Sequence, residues 1–215
     1  MRKPAILLLA LSLSLSVSWA QNITSNRQVV IDSAGSGAVA GSTALPFFRS
    51  PADAERILAS IMDVIGIETN FRIKAANVPN VEATIRHHQR YILYNPDFIS
   101  QVNTATKNKW ASIFILAHEV GHHLEGHTLI HAKSTPEIEL QADQFAGYVL
   151  CKMGATLEQA QLAMHYIASI QASKTHPARA DRLLAIEKGW NKADLQKRGM
   201  VYTSDKNASQ MVSEN

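Results

Sequence analysis

The chain has 215 residues, 46% hydrophobic and 18% charged, which suits a globular protein with one domain and a sizeable core. The formal net charge is +3, but Arg2 and Lys3 lie in a segment we expect to be removed, leaving 19 basic against 18 acidic residues. With no basic patch interleaved with aromatics, that balance argues against a nucleic-acid partner, and the single cysteine, Cys151, rules out an internal disulfide.

Residues 1–20 read as a signal peptide. Arg2 and Lys3 form a basic start, Ala5 to Val17 an apolar run, and Ser18 and Ala20 the small residues of a cleavage site after Ala20. The apolar run is short for a membrane span of ~20 residues, so an uncleaved anchor is the alternative. No later segment is long and apolar enough to cross a bilayer. We therefore expect an exported protein of the periplasm or cell envelope, with secretion as the alternative. Residues 21–49, rich in Gly, Ser and Ala, read as a flexible linker.

The folded domain is expected over residues 50–190. Ser50-Pro51 predicts an N-cap and first helical turn, followed by an apolar face of Ile57, Leu58, Ile61, Met62 and Ile65. Alternation at Phe71, Ile73 and Ala75 predicts a strand. "VEATIR" and "RYILYN" around "HHQ" predict a hairpin. Asn95-Pro96-Asp97 then caps a short helix. Four more helices are expected: residues 109–126; Thr135-Pro136 to near Gly154; Thr156, with Gln159 as capping-box partner, to about Ala172; and His176-Pro177 to a stop at Gly189. Residues 191–215 read as a polar tail. The fold class is α+β: a small antiparallel-type sheet followed by a mainly helical bundle.

The helix at 109–126 carries His118-Glu119-Val120-Gly121-His122, an H-E-x-x-H motif. Residues four apart share a helix face, so His118 and His122 can offer two ring nitrogens to one Zn²⁺. Glu119 lies beside them as general base for a water that the ion would acidify. Gly121 lets a neighbouring element approach. The apolar run "WASIFILA" before the motif marks a buried helix, where two histidines need a partner such as a metal. The other reading is a histidine-rich exposed helix end.

A catalytic zinc needs a third protein ligand and one open position. The next helix offers Glu137, Glu139 and Asp143. Glu139 and Asp143 share a face with apolar neighbours, so Glu139 as ligand and Asp143 as acceptor for a ligand histidine would satisfy both. Two solvated surface acids are the alternative. His176, before Pro177 at a helix start, could donate to a developing oxyanion or be a simple turn residue. Arg182 could be a surface charge or a partner for Glu137. His123 should point away from the metal face, and His127 and His131 are expected at the surface.

H-E-x-x-H followed by "EIELQAD" at residues 137–143 resembles the gluzincin metallopeptidases. More narrowly it resembles the HtpX/CAAX-prenyl-protease type, including its soluble periplasmic members. "THPARADRLLAIEKGW" is similar to that family's H-P-x-x-x-x-R signature and "NVEA" at 80–83 to its N-A-x-A strand. The resemblance spans roughly residues 52–190 and implies a zincin-like fold binding one Zn²⁺ per chain. It implies His118, His122 and Glu139 as ligands, Glu119 as general base and Asp143 as orienter of a ligand histidine. It further implies His176 as oxyanion stabiliser, Arg182 as support, and Asn80 with its strand as a holder of peptide substrate. Only residues 123–138 separate His122 from Glu139, so no membrane hairpin fits between them, which argues against prenylated substrates. The expected function is an exported zinc metalloendopeptidase acting on polypeptides, damaged or misassembled envelope proteins among them. The alternative is a zinc-stabilised binding or chaperone-like module without turnover.

Overall fold

The computed structural model describes residues 45–129, 134–201 and 212–213. The signal segment and most of the linker fall outside them. Helix α1 (Pro51–Ile65) starts at Ser50, whose hydroxyl accepts the Asp53 N–H, and ends at Gly66 in the left-handed region (φ 75). Its Ile57, Leu58, Ile61 and Met62 are buried. Residues 45–49, expected in the linker, join the domain: Phe48 is 1% exposed and packs its ring 4.8 Å from that of Tyr94.

Strands β1 (Arg72–Ala75), β2 (Val81–Arg86) and β3 (Gln89–Tyr94) form a sheet of order β1-β3-β2. β2 and β3 are the expected antiparallel hairpin, with Arg86 opposite Gln89 and a two-residue turn of His87 and His88, both at positive φ. β1 pairs with β3 in parallel, Ile73 opposite Ile92. The sheet is therefore mixed, not wholly antiparallel. The physical reason lies in residues 76–80, which carry the chain across the end of β3, so that β3 slots between two consecutive strands. Hydrogen bonds from Ala76 N–H to Tyr94 O and from Asn95 N–H to Asn80 O pin this crossing. β2 is left as an edge.

Helix α2 (Pro96–Thr106) is capped by Asn95 and α3 (Lys109–Leu124) by Asn108. α3 is the central helix, with Ile113, Phe114, Leu116, Ala117 and Val120 fully buried. Each such large side chain contributes about 1.5–3 kcal/mol relative to exposure. A short 3₁₀ turn (His127–Leu129) follows, then α4 (Pro136–Lys152), capped by Thr135. α5 (Leu157–Ile167) carries the expected Thr156–Gln159 capping box. It stops five residues short of Ala172, because Ala168 is extended and its carbonyl accepts the Arg179 guanidinium at 2.9 and 2.6 Å.

Helix α6 (Arg179–Lys197) departs from expectation at both ends. It begins after His176-Pro177, since a residue before proline avoids the helical region. It also runs through Gly189 well into the expected tail. A Cβ at Gly189 would overlap the Gln144 carbonyl oxygen, and one at Gly147 the Ile186 carbonyl oxygen. These glycines let α4 and α6 touch backbone to backbone. Two short strands, β4 (Met200–Val201) and β5 (Val212–Ser213), pair antiparallel.

Candidate metal centre

The first turns of α3 are buried on every side, which holds its last turns rigidly. There, Nε2 of His118 and Nε2 of His122 lie 3.1 Å apart. Glu139 on α4 places Oε2 at 3.4 Å from the first and Oε1 at 3.7 Å from the second. Tetrahedral zinc ligands at 2.0–2.1 Å sit roughly 3.3 Å from one another, so these separations fit one ion. His118, His122 and Glu139 thus form a group able to hold a metal.

The other ring nitrogens support the fit. Nδ1 of His118 lies 2.9 Å from Oδ1 of Asp143, off the line of a full hydrogen bond. Nδ1 of His122 lies 3.0 Å from Nδ1 of His127, whose Nε2 lies 2.8 Å from Gln141 Oε1. A carboxylate and an amide oxygen only accept, so protons go to His118 Nδ1 and His127 Nε2. His127 Nδ1 is then an acceptor, and the His122 proton goes to Nδ1. With a metal bound, both Nε2 lone pairs would then face one point, where a single ion would satisfy them. Without a metal, a proton takes the ion's place on His118. Burial alone would lower the His118 ring, but Asp143 and Glu139 outweigh it and push it up to about 10. Burial and the charge on His118 hold His122 down at about 3.

The carboxylates come from α4 because Gly121 lets that helix close in. A Cβ there would lie 3.1 Å from the Phe145 ring and 3.3 Å from Ala142 Cα, tighter than ordinary contact. Glu139 and Asp143 are both buried. Burial would raise the Glu139 carboxyl, but His118 and the hydroxyl of Ser134, which donates to Oε1, hold it well below the usual carboxylate range. Arg182, buried on α6, donates to Asp143 from Nε at 2.6 Å and from Nη2 at 2.8 Å. The same Nη2 lies 3.6 Å from Glu139. Arg182 is therefore neither a surface charge nor a partner of Glu137, which is exposed.

Glu119 points to the sheet, where its Oε2 accepts the Ala83 N–H of edge strand β2 at 2.7 Å. Burial, only partly offset by His118 and that N–H, pushes its carboxyl up to about 7. A carboxyl at that value can both take and return a proton near neutral pH.

Residues 102–178 match the family model described as Peptidase_M78, IrrE N-terminal-like domain. No curated protein and no solved structure matches the chain. The match covers a little over a third of the 215 residues. It contains His118, Glu119, His122, Glu139, Asp143 and His176, and leaves the sheet and Arg182 outside. The model that matches describes this peptidase domain and not the HtpX/CAAX-prenyl-protease type.

Among the described residues, the remaining candidates make no hydrogen bond to the three residues of the metal group. His176 is half-buried, and its recorded hydrogen bonds stay in its own turn: Nδ1 with Thr175 Oγ1 at 2.8 Å, and N–H to Ser173 Oγ at 2.9 Å. Asn80 is half-buried before β2, and its carbonyl accepts the Asn95 N–H at 2.8 Å. His123 is fully buried, stacked 4.9 Å from Phe71. Its Nε2–H donates to Tyr91 O at 2.9 Å, so it ties α3 to the sheet, and burial holds it at about 4. His87, His88 and His165 are exposed, and His131 falls outside the described residues.

Four contacts at the centre were not foreseen: Arg182 with Asp143, Ser134 with Glu139, Ala83 with Glu119, and His127 with His122. His127 is half-buried, not a surface residue, because Gly126 (φ 77) folds the chain back over the end of α3. Gly126 was the one sign of this turn in the sequence.

Proposed function

We propose that this chain is an exported zinc-dependent metalloendopeptidase. The convergence of His118 Nε2, His122 Nε2 and the Glu139 carboxylate, with Glu119 beside them, carries the reading. A two-histidine, one-carboxylate set favours zinc, and three protein ligands leave a position open. Zinc in this set would supply a Lewis acid that polarises a carbonyl and acidifies water. The match to a peptidase domain over residues 102–178 supports the same class. So does the resemblance of "EIELQAD" to the HtpX/CAAX-prenyl-protease type.

The chain's own groups divide the work. Asp143 orients His118, and Arg182 holds Asp143 in place with two hydrogen bonds. Glu119 takes a proton from the attacking water and returns it to the leaving amine. Its bond to Ala83 fixes the carboxylate against β2, whose remaining outward backbone groups would take an extended polypeptide by strand addition, with Asn80 at the strand's start. His176 is the candidate donor to the developing oxyanion, six residues before Arg182. The export reading rests on residues 1–20, and substrates among damaged or misassembled envelope proteins rest on analogy with the resembled family alone. No helix among the described residues is long and apolar enough to cross a membrane.

The test is cleavage of unfolded casein by the purified chain, with zinc content measured. Glu119→Gln should retain zinc and lose about 10²–10⁴-fold in rate. A wild type that binds zinc but cuts nothing would instead favour a binding module without turnover. Equal rates for wild type and variant would reject the mechanism.

A further inference from the structure

The metal site has a second histidine layer. His127 stands at the start of the 3₁₀ turn, its ring centroid 5.2 Å from that of His122 and edge-on at 67°. Its Nδ1 meets His122 Nδ1 at 3.0 Å, and its Nε2 meets Gln141 Oε1 at 2.8 Å. Gln141 sits on α4, two residues after Glu139. One helix thus supplies a ligand and, through His127, the anchor of another ligand.

We propose that His127, backed by Gln141, is a positioning residue that locks His122 as an Nε2 donor. The inference rests on the zinc reading above. Gln141 Oε1 can only accept, so it fixes the His127 proton on Nε2 and turns Nδ1 into an acceptor. That acceptor holds the His122 proton on Nδ1 and keeps the ring from turning about its χ2 bond. His118 is held by a carboxylate, whereas His122 has an imidazole in the same place. The two ligands are thus oriented by partners of different chemistry.

The experiment compares full-length wild type, His127→Ala and His127→Asn, with zinc alone as probe. Asparagine puts its Oδ1 where the histidine Nδ1 was, so it restores the acceptor without the ring. Zinc affinity is read by chelator competition, and the His122 Nδ1–H by nitrogen-15 NMR of the zinc-loaded protein. His127→Ala should bind zinc about 10- to 100-fold more weakly and lose the slowly exchanging His122 Nδ1–H signal. His127→Asn should keep that signal and stand closer to wild type than to the alanine variant. Thermal unfolding of the metal-free proteins should place both variants together, which separates positioning from loss of packing. Wild-type affinity in His127→Ala overturns the inference and leaves the zinc reading intact, as does an asparagine variant as weak as alanine. A wild type that takes up no zinc overturns both.

Discussion

Asp143 has no exposed surface, and two side chains meet on it: the His118 ring at 2.9 Å and the Arg182 guanidinium at 2.6 Å. Removing one member of such a buried set leaves the others uncompensated, which costs about 3–5 kcal/mol. Asp143→Ala should lose that much in denaturant unfolding at neutral pH, whether or not zinc is present. A loss below about 1 kcal/mol would mean that water reaches Arg182. Asp53, in the first turn of α1 and outside the metal group, gives a cleaner titration. Burial would raise its carboxyl, but hydrogen bonds from Ser50, Arg56 and the Arg49 N–H outweigh it and bring it below 3.8. A depressed carboxylate stabilises the fold fully above its unfolded value and loses that contribution as pH falls through its folded value. The stability gap between wild type and Asp53→Asn should therefore be constant from pH 7 to about 5 and shrink below about pH 4. A gap that stays flat down to pH 2 would show that the charge contributes nothing.

At the scale of elements, the site depends on how α3, α4 and α6 approach. α4 supplies Glu139 and Asp143, α6 supplies Arg182, and the closeness of α4 and α6 comes from Gly147 and Gly189. A methyl at Gly189 meets backbone, which cannot rotate away, so Gly189→Ala should destabilise by about 3 kcal/mol, the upper part of the overpacking range. It should also weaken zinc binding, since Arg182 moves with α6; unchanged stability and affinity would refute this coupling. Most elements were legible because their signals are local: Ser50, Asn95, Thr135 and Thr156 each cap the helix that follows. The ends of α5 and α6 were not. Gly189 reads as a stop in isolation, but its missing Cβ serves contact with α4, and Ala168 ends α5 to receive Arg179.

For the whole molecule, a metal that binds only the folded state adds stability by mass action, about 4 kcal/mol at a thousandfold excess over Kd. Zinc titration should raise the unfolding midpoint and chelation should reverse it together with activity; a midpoint indifferent to both would count against the centre. The sequence by itself determined the α+β fold class and the pair His118 and His122 with Glu119 beside them. A helix repeat is a property of the backbone and needs no partner to place residues four apart. It also pointed to Glu139 and Asp143 by the cost of burying carboxylates among apolar neighbours. Only the tertiary structure decided what surrounds them: β3 slotted between β1 and β2, Arg182 on Asp143, the β2 edge on Glu119, and His127 folded onto His122. Each of these joins side chains or strands from different elements. Such contacts are selected by packing and by the pairing of buried polar groups, and neither leaves a period in the chain.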